Sequence, residues 1–324
     1  MDELSILKNS VKEFNMIFDK KYKTSIQSES KWLREAFEIL QRATGKQVRP
    51  LMVALTCKAC GGQLGEKSAE SALLLELIHT ATLIHDDVID KAGLRRGVRT
   101  LNTIFDNRIA VLMGDFVLSI GLMRAIQLND IQIISVVSSI GKELSEGEIL
   151  QMETAEETVL SEQRYFQIIK QKTATLFSAA TLLGAICADA DNEIKETCRA
   201  IGENLGYAFQ IRDDIFDYFS VDVGKPTGND IREGKVTLPL LYAIFNDHSK
   251  EQEQCLNIIK TKDFTPSNID RLIVFAKDKD GVEYARLRMS EYLDKALELC
   301  QKLPNISDVP ELERLAKFIC NREI

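Results

Sequence analysis

The chain has 324 residues, ample for a large core, with 45% hydrophobic and 28% charged residues and a formal net charge of −8. That balance argues against nucleic acid or an anionic membrane surface as the main partner. It leaves open an anionic small substrate, because a bound metal can reverse the local sign.

Met1-Asp2-Glu3-Leu4 lacks the pattern of a signal peptide. Apolar residues then recur at threes and fours, and alternating strand-like runs are absent, which predicts helices. Leu4, Leu7, Val11, Phe14 and Phe18 form one such face, and Leu33, Ala36, Phe37 and Leu40 the next, which ends at Gly45. Pro50 is read as the opening of a short helix that stops at Gly61-Gly62. A long helix is expected from about Lys67 to Lys91, ending at Gly93, followed by a basic loop over Leu94 to Arg99. Further helices are expected over roughly 108–128, 131–154, 161–188 and 194–219, uninterrupted because no proline lies between Pro50 and Pro226. Ser220 to Gly234 reads as a loop, and shorter helices fill the rest. The longest charge-free stretch beside a long apolar helix, Thr173 to Ala188, is short of the ~20 residues a membrane span needs. Of the seven cysteines only Cys57 and Cys60 form a CxxC, and nothing completes a zinc site. They read as reduced packing residues of a cytoplasmic protein. No repeat or linker appears, so residues 1–324 are expected to form one all-α domain.

Two stretches carry the chemistry. Ile84-His85-Asp86-Asp87-Val88-Ile89-Asp90 and Ile211-Arg212-Asp213-Asp214-Ile215-Phe216-Asp217 each place aspartates at i, i+1 and i+4. On a helix all three fall within about 100° of arc, where like charges repel unless a cation sits among them. Carboxylate oxygens without thiolates suit a hard cation, magnesium first. Both clusters fall near helix C-terminal ends, the favourable end for a cation. Nearby stand basic residues: Lys46 and Arg49 before a helix, Arg95 and Arg96 after the first cluster, Lys172 mid-helix, and Lys225 and Lys235 after the second cluster. Arginine forks and lysine point charges suit phosphate oxygens. Together these suggest a pocket for two phosphorylated groups, one held by metal and one by cations.

The sequence resembles the trans-prenyl diphosphate synthases of the polyprenyl synthetase family, closest in pattern to bacterial long-chain octaprenyl-type enzymes. The matching pieces are GKQVRP at 45–50, ELIHTATLIHDDVIDKAGLRRG at 76–97, MGDF at 113–116, EGEILQ at 146–151, KTATLF at 172–177, YAFQIRDDIFDYF at 207–219 and GKPTGNDIREGKVTLPLL at 224–241. The resemblance implies an isoprenoid-synthase helical bundle around a central cavity, and a homodimer. It implies two magnesium ions on Asp86 and Asp90, with Asp87 supporting, and a third on Asp213, with Asp214 and Asp217 nearby. Lys46, Arg49, His79 and Arg96 match positions that hold isopentenyl diphosphate. Arg95, Lys172, Thr173, Gln210, Lys225 and Lys235 match those on the side of the allylic diphosphate. Arg212 departs from the family, which has an apolar residue or Gln there; it either faces outward or tunes the site.

Product length has its own signal. Thr82, Ala81, Ile78 and Leu75 lie four, five, eight and eleven residues before Asp86, on nearly one helix face. Short-product relatives place an aromatic residue at the position of Ala81 or Thr82. Both are small here, so the cavity is expected to stay open and the product to be long, for a quinone side chain. The alternatives are a short-chain synthase whose floor lies on another helix, a terpene cyclase, and a non-catalytic subunit of a heteromeric synthase. The two complete aspartate clusters argue against the last two.

Overall fold

A computed structural model describes residues 2–43, 45–219 and 227–320. In chain order its elements are α1 Glu3–Ser10, α2 Lys12–Lys23, α3 Lys31–Arg42, α4 Val48–Ala59, α5 Glu66–Ile89, β1 Leu94–Arg95, β2 Val98–Arg99, α6 Leu101–Ile104, α7 Asn107–Gln127 and α8 Ile131–Glu156. They continue with α9 Glu162–Ile169, a π-turn Lys170–Ala174, α10 Thr175–Cys187, α11 Asn192–Phe216, α12 Asn229–Arg232, α13 Leu238–Asn246, α14 Lys250–Thr261, α15 Pro266–Asp278, α16 Gly281–Cys300 and α17 Val309–Cys320. The all-α expectation holds, with four local differences. The loop expected over Ser220 to Gly234, of which 220–226 lie outside the described residues, holds the short helix α12. Pro50 is the third residue of α4 rather than its opener, a position where its missing N–H still costs nothing. The basic loop is a short antiparallel hairpin, Leu94 opposite Arg99 and Arg95 opposite Val98. Its two-residue turn, Arg96-Gly97, has both φ positive, at 53° and 76°, as a primed hairpin turn requires. The single helix expected over 161–188 runs without a gap from Glu162 to Cys187 and carries a π-turn at Lys170–Ala174 between α9 and α10.

The chain divides into two compact units, each drawn from three chain segments. The first comprises residues 1–142, 176–202 and 299–315. At its centre is α5, against which α2, α4 and α7 pack. Leu73, Leu74, Leu75 and Ile78 of α5 have no exposed surface, a helix apolar nearly all round as burial on several sides demands. Gly184 of α10 sits where a Cβ would lie 2.7 Å from both the Thr56 side chain and the Val53 carbonyl, so α4 and α10 touch through backbone.

The second unit comprises residues 143–175, 203–298 and 316–324. Its core gathers Ile211, Ile215 and Tyr218 at the end of α11 with Leu238 and Leu241 of α13 and Ile269, Leu272 and Phe275 of α15. Two glycines bring helices against the π-turn. A Cβ at Gly147 of α8 would meet Gln171 Cβ at 2.7 Å, and one at Gly206 of α11 would overlap Ala174 Cα.

Gly206→Ala therefore tests the approach of α11 to the π-turn. Alanine gains roughly 1 kcal/mol of helix propensity, but displacing backbone costs roughly 1–3 kcal/mol, so net destabilisation is expected in urea unfolding. Gly141→Ala in α8, where no atom lies within 4 Å of a new Cβ, should be neutral or stabilising. Equal behaviour of the two variants would refute the close approach.

Candidate active site

In the first unit, the last turn of α5 presents the first aspartate cluster. Its three carboxylates do not share one environment. Asp87 is buried, Asp86 half-buried and Asp90 exposed, because i+1 lies about 100° round the helix from i. Asp87 accepts from Arg95 Nε at 2.7 Å, while Asn102 Nδ2 donates to the Asp87 carbonyl at 3.2 Å. Burial raises the Asp87 pKa and Arg95 opposes it. Arg95 therefore braces the cluster in this structure. Beside it, His85 Nε2 lies 3.2 Å from the Val111 carbonyl and 3.4 Å from Asp115 of α7. Gly114 makes room, since a Cβ there would overlap the ring.

Arg96, in the hairpin turn, donates to the Ala43 carbonyl at 2.9 Å. Its guanidinium lies 2.6 Å from where a Cβ of Gly45 would be, so only glycine leaves it that place. Lys46 is exposed. Arg49, in the first turn of α4, stands 5.5 Å from the centroid of Phe177, and its Nε is shielded from solvent without a partner. On α5, His79 and Glu76 complete this basic corner. Burial, with Arg49, Arg96 and Arg95 adding, holds the His79 pKa well below its ordinary value. The imidazole is neutral there. Burial raises Glu76, opposed by Arg49 and Arg96.

In the second unit, the second cluster divides in the same way. Asp214 is buried and accepts from Tyr165 Oη at 2.6 Å and from Gln210 Nε2 at 2.7 Å. Gln210 Oε1 in turn accepts from Thr173 Oγ1 at 2.6 Å. Burial first, then Asp230, pushes Asp214 well above the usual carboxylate range. Asp217 accepts from the backbone N–H groups of Asn229 at 2.9 Å and Asp230 at 3.0 Å, capping the segment that begins α12. Lys172 lies mid-helix, within the π-turn, and pairs with Glu148 of α8 at 2.5 Å. Single π-turns concentrate at functional sites.

A cavity of about 210 Å³ in this unit is lined by Lys172, Thr173, Gln210, Asp214, Asp230 and Lys235, with Tyr165, Ile168 and Leu241 among its other walls. Four residues expected on the allylic side thus share one cavity. Lys225 lies outside the described residues. Arg212 faces inward: it is 7% exposed, stacks over Phe209 at 4.7 Å and Phe216 at 5.4 Å, pairs with Asp213 and donates to the Ile319 carbonyl. It ties the end of α11 to α17. Glu148, Tyr165, Asp230 and Glu76 were not singled out from sequence; Gly147 beside Glu148, within EGEILQ, was the available signal of a close approach.

The donor set suits a hard divalent ion, since both clusters offer only carboxylate oxygens. Among the described residues no three His, Cys, Asp or Glu side chains converge into a closed cage. Magnesium keeps waters and binds through one or two carboxylates plus phosphate oxygens.

The profile of the polyprenyl synthetase family matches residues 30–274. The chain is 35% identical over 282 residues to the all-trans-nonaprenyl-diphosphate synthase (geranyl-diphosphate specific) of Rhodobacter capsulatus, covering 86% of each. It is 34% identical over 313 residues to heptaprenyl diphosphate synthase component 2 of Bacillus subtilis, covering 95% of this chain and 87% of that one. The structure matches that of a decaprenyl diphosphate synthase from R. capsulatus with a TM-score of 0.93 at 30% identity, covering 98% of this chain and 99% of the other. The chain belongs to the polyprenyl synthetase family. It is a trans-prenyltransferase with the isoprenoid-synthase helical fold, and its family uses divalent metal ions to bind diphosphate.

Proposed function

We propose that the chain condenses isopentenyl diphosphate head-to-tail onto an allylic prenyl diphosphate, releasing diphosphate, and that its product is long, near octaprenyl, for a quinone side chain. We read residues 1–324 as one domain, since each compact unit is assembled from three chain segments, and the protein as cytoplasmic. The observation that carries the reaction is the cavity in which Lys172, Thr173, Gln210 and Lys235 share walls with Asp214. Its lining combines two lysines with apolar side chains such as Ile168 and Leu241, as a substrate with a diphosphate and a prenyl chain requires.

Asp86, Asp90 and, on release of Arg212, Asp213 are the carboxylates for divalent ions, with the buried Asp87 and Asp214 supporting. Asp217 joins them if it releases the N–H groups it caps. Magnesium, about three ions, supplies positive charge to the departing diphosphate when bound. Arg95, Lys172, Lys235 and the undescribed Lys225 add fixed cations to that charge. Lys46, Arg49, Arg96 and His79 hold isopentenyl diphosphate. Carbon one of the allylic chain loses its bond to oxygen, the double bond of isopentenyl diphosphate attacks it, and a proton leaves. Apolar walls keep water from the cation.

Long product follows from α5. Neither position 81 nor position 82 carries an aromatic ring; Ala81, Ile78 and Leu75 are buried in packing and do not line the cavity of the second unit. Relatives named for nonaprenyl and heptaprenyl products support the same reading. The name "component 2" favours one further possibility, that the chain acts with a second, different subunit.

Three outcomes are expected. The purified chain alone, given farnesyl and isopentenyl diphosphates with magnesium, should release pyrophosphate, and Asp86→Ala or Asp213→Ala should each lower the rate ~10²-fold while remaining folded. Silence of the parent alone would instead favour the two-component reading, and unimpaired variants would refute the metal assignment. Chromatography of radiolabelled products should show chains well beyond geranylgeranyl, with Ala81→Phe shortening them toward farnesyl; a parent that stops at geranylgeranyl overturns the open floor. Lastly, α7 leaves Leu112, Met123 and Ile126 62%, 57% and 65% exposed and is apolar and long enough, by length and composition, to cross a bilayer. We assign this face, residues 110–123 at its centre, to a symmetric homodimer, so light scattering at micromolar concentration should give twice the chain mass, and a monomer would count against it.

A further inference from the structure

Three shielded polar atoms meet in the basic corner of the first unit without a hydrogen-bond partner: Arg49 Nε, Glu76 Oε1 and His79 Nδ1. A buried polar atom without a partner is destabilising, so three together call for a common solution. The neighbouring hydroxyls are committed elsewhere, Thr80 donating to the Glu76 carbonyl at 2.7 Å and Thr82 to the His79 carbonyl at 2.9 Å. Glu76 and His79 are three residues apart on α5, which sets their Cβ atoms about 5–6 Å apart on one face. Residues three apart on a helix are neighbours on its surface, and hydrogen bonds in empty sites are often longer than in occupied ones.

The inventory of donors leaves two arrangements. In one, a Glu76 carboxylate accepts from Arg49 Nε and from a proton on His79 Nδ1. In the other, a carboxylic acid accepts from Arg49 Nε and donates to a bare Nδ1, and only this second one leaves an N–H on Nε2 for an anion. Arg49 Nε can only donate. A carboxylic acid accepts with one oxygen and donates with the other, whereas a carboxylate only accepts. Burial raises Glu76, and burial with three guanidiniums keeps His79 neutral. The charged and titratable groups facing this corner are Arg49 on α4, Arg95 and Arg96 on the hairpin, and Tyr22 on α2, whose phenol burial and Glu76 push up to about 12.

We propose that Glu76 is a positioning residue: as a carboxylic acid it accepts from Arg49 Nε, donates to His79 Nδ1, and so fixes the imidazole as the tautomer with its proton on Nε2. That tautomer offers an N–H donor to an anion, where the other would offer a lone pair. The proposal rests on the assignment of Arg49 and His79 to isopentenyl diphosphate.

The chain has three histidines, His79, His85 and His248, so nitrogen-15 labelling of histidine in the intact protein resolves the tautomer directly, with His85→Gln and His248→Gln removing the other two signals. The parent should show neutral His79 protonated on Nε2. Glu76→Gln, whose amide also both accepts and donates, should keep that tautomer, and Glu76→Leu should lose it. In steady-state kinetics Glu76→Leu should raise KM for isopentenyl diphosphate about tenfold, the loss of roughly one hydrogen bond, with KM for the allylic substrate unchanged and Glu76→Gln near the parent. A parent protonated on Nδ1, or a Glu76→Leu protein with an unchanged tautomer, overturns the proposal. The parent spectrum decides even if Glu76→Leu does not fold. His79→Leu with unaltered KM for isopentenyl diphosphate would refute the substrate assignment and leave the tautomer result standing.

Discussion

A carboxylate removed from water must be satisfied by its neighbours, and Asp214 is the place where that requirement organises the second unit. Its two oxygens take the Tyr165 hydroxyl and the Gln210 amide, and Gln210 is itself oriented by Thr173. The chain of donors runs in one direction, so the amide of Gln210 has a single acceptable orientation. Three elements, α9, the π-turn and α11, are fixed by one buried carboxyl group. Lys172 is then the residue next to an anchored Thr173, and Glu148 holds its ammonium across α8.

The two aspartate clusters solve the same problem alike. In each, the second aspartate turns inward and is bound, Asp87 by Arg95 and Asp214 by Tyr165 and Gln210. The first, at Asp86 or Asp213, stays half-buried. In each cluster the buried carboxylate pins the helix end in place, and in the second cluster Asp213 is itself paired with Arg212 and Asp217 with the backbone at the start of α12. Repulsion among them is eased by giving the middle one its own partners.

Much of this was legible in the sequence. The long apolar period of α5 and α7, the aspartate clusters and the basic residues beside them are local signals, and periodicity reads them well. The π-turn inside the helix at 161–188 was not legible, because one surplus residue in a turn leaves the apolar pattern on either side intact. The hairpin at Leu94–Arg99 was missed because two-residue strands are too short to alternate. Arg212 was ambiguous because its partners, Phe209, Phe216 and Ile319, include one more than a hundred residues away. Glu148 and Glu76 escaped for the same reason: what makes each matter is a basic residue on another helix, Lys172 for the one and Arg49 for the other, and no spacing along the chain encodes that pairing.

The π-turn at Lys170–Ala174 bears on how such a protein can change. It holds one more residue than an α-helical turn of the same span, and Gly147 and Gly206 are the two positions where neighbouring helices accommodate it. Deleting any one of its five residues would leave a continuous helix through α9 and α10, acceptable to every local preference. Yet everything on one side of the deletion would rotate by about 100° relative to the other, separating Tyr165 from Thr173 as partners of the same carboxyl network. The position of the lysine is therefore set by a count of residues as much as by their identity, so in lineages of this chain length variation should be excluded from this segment even where substitution is tolerated.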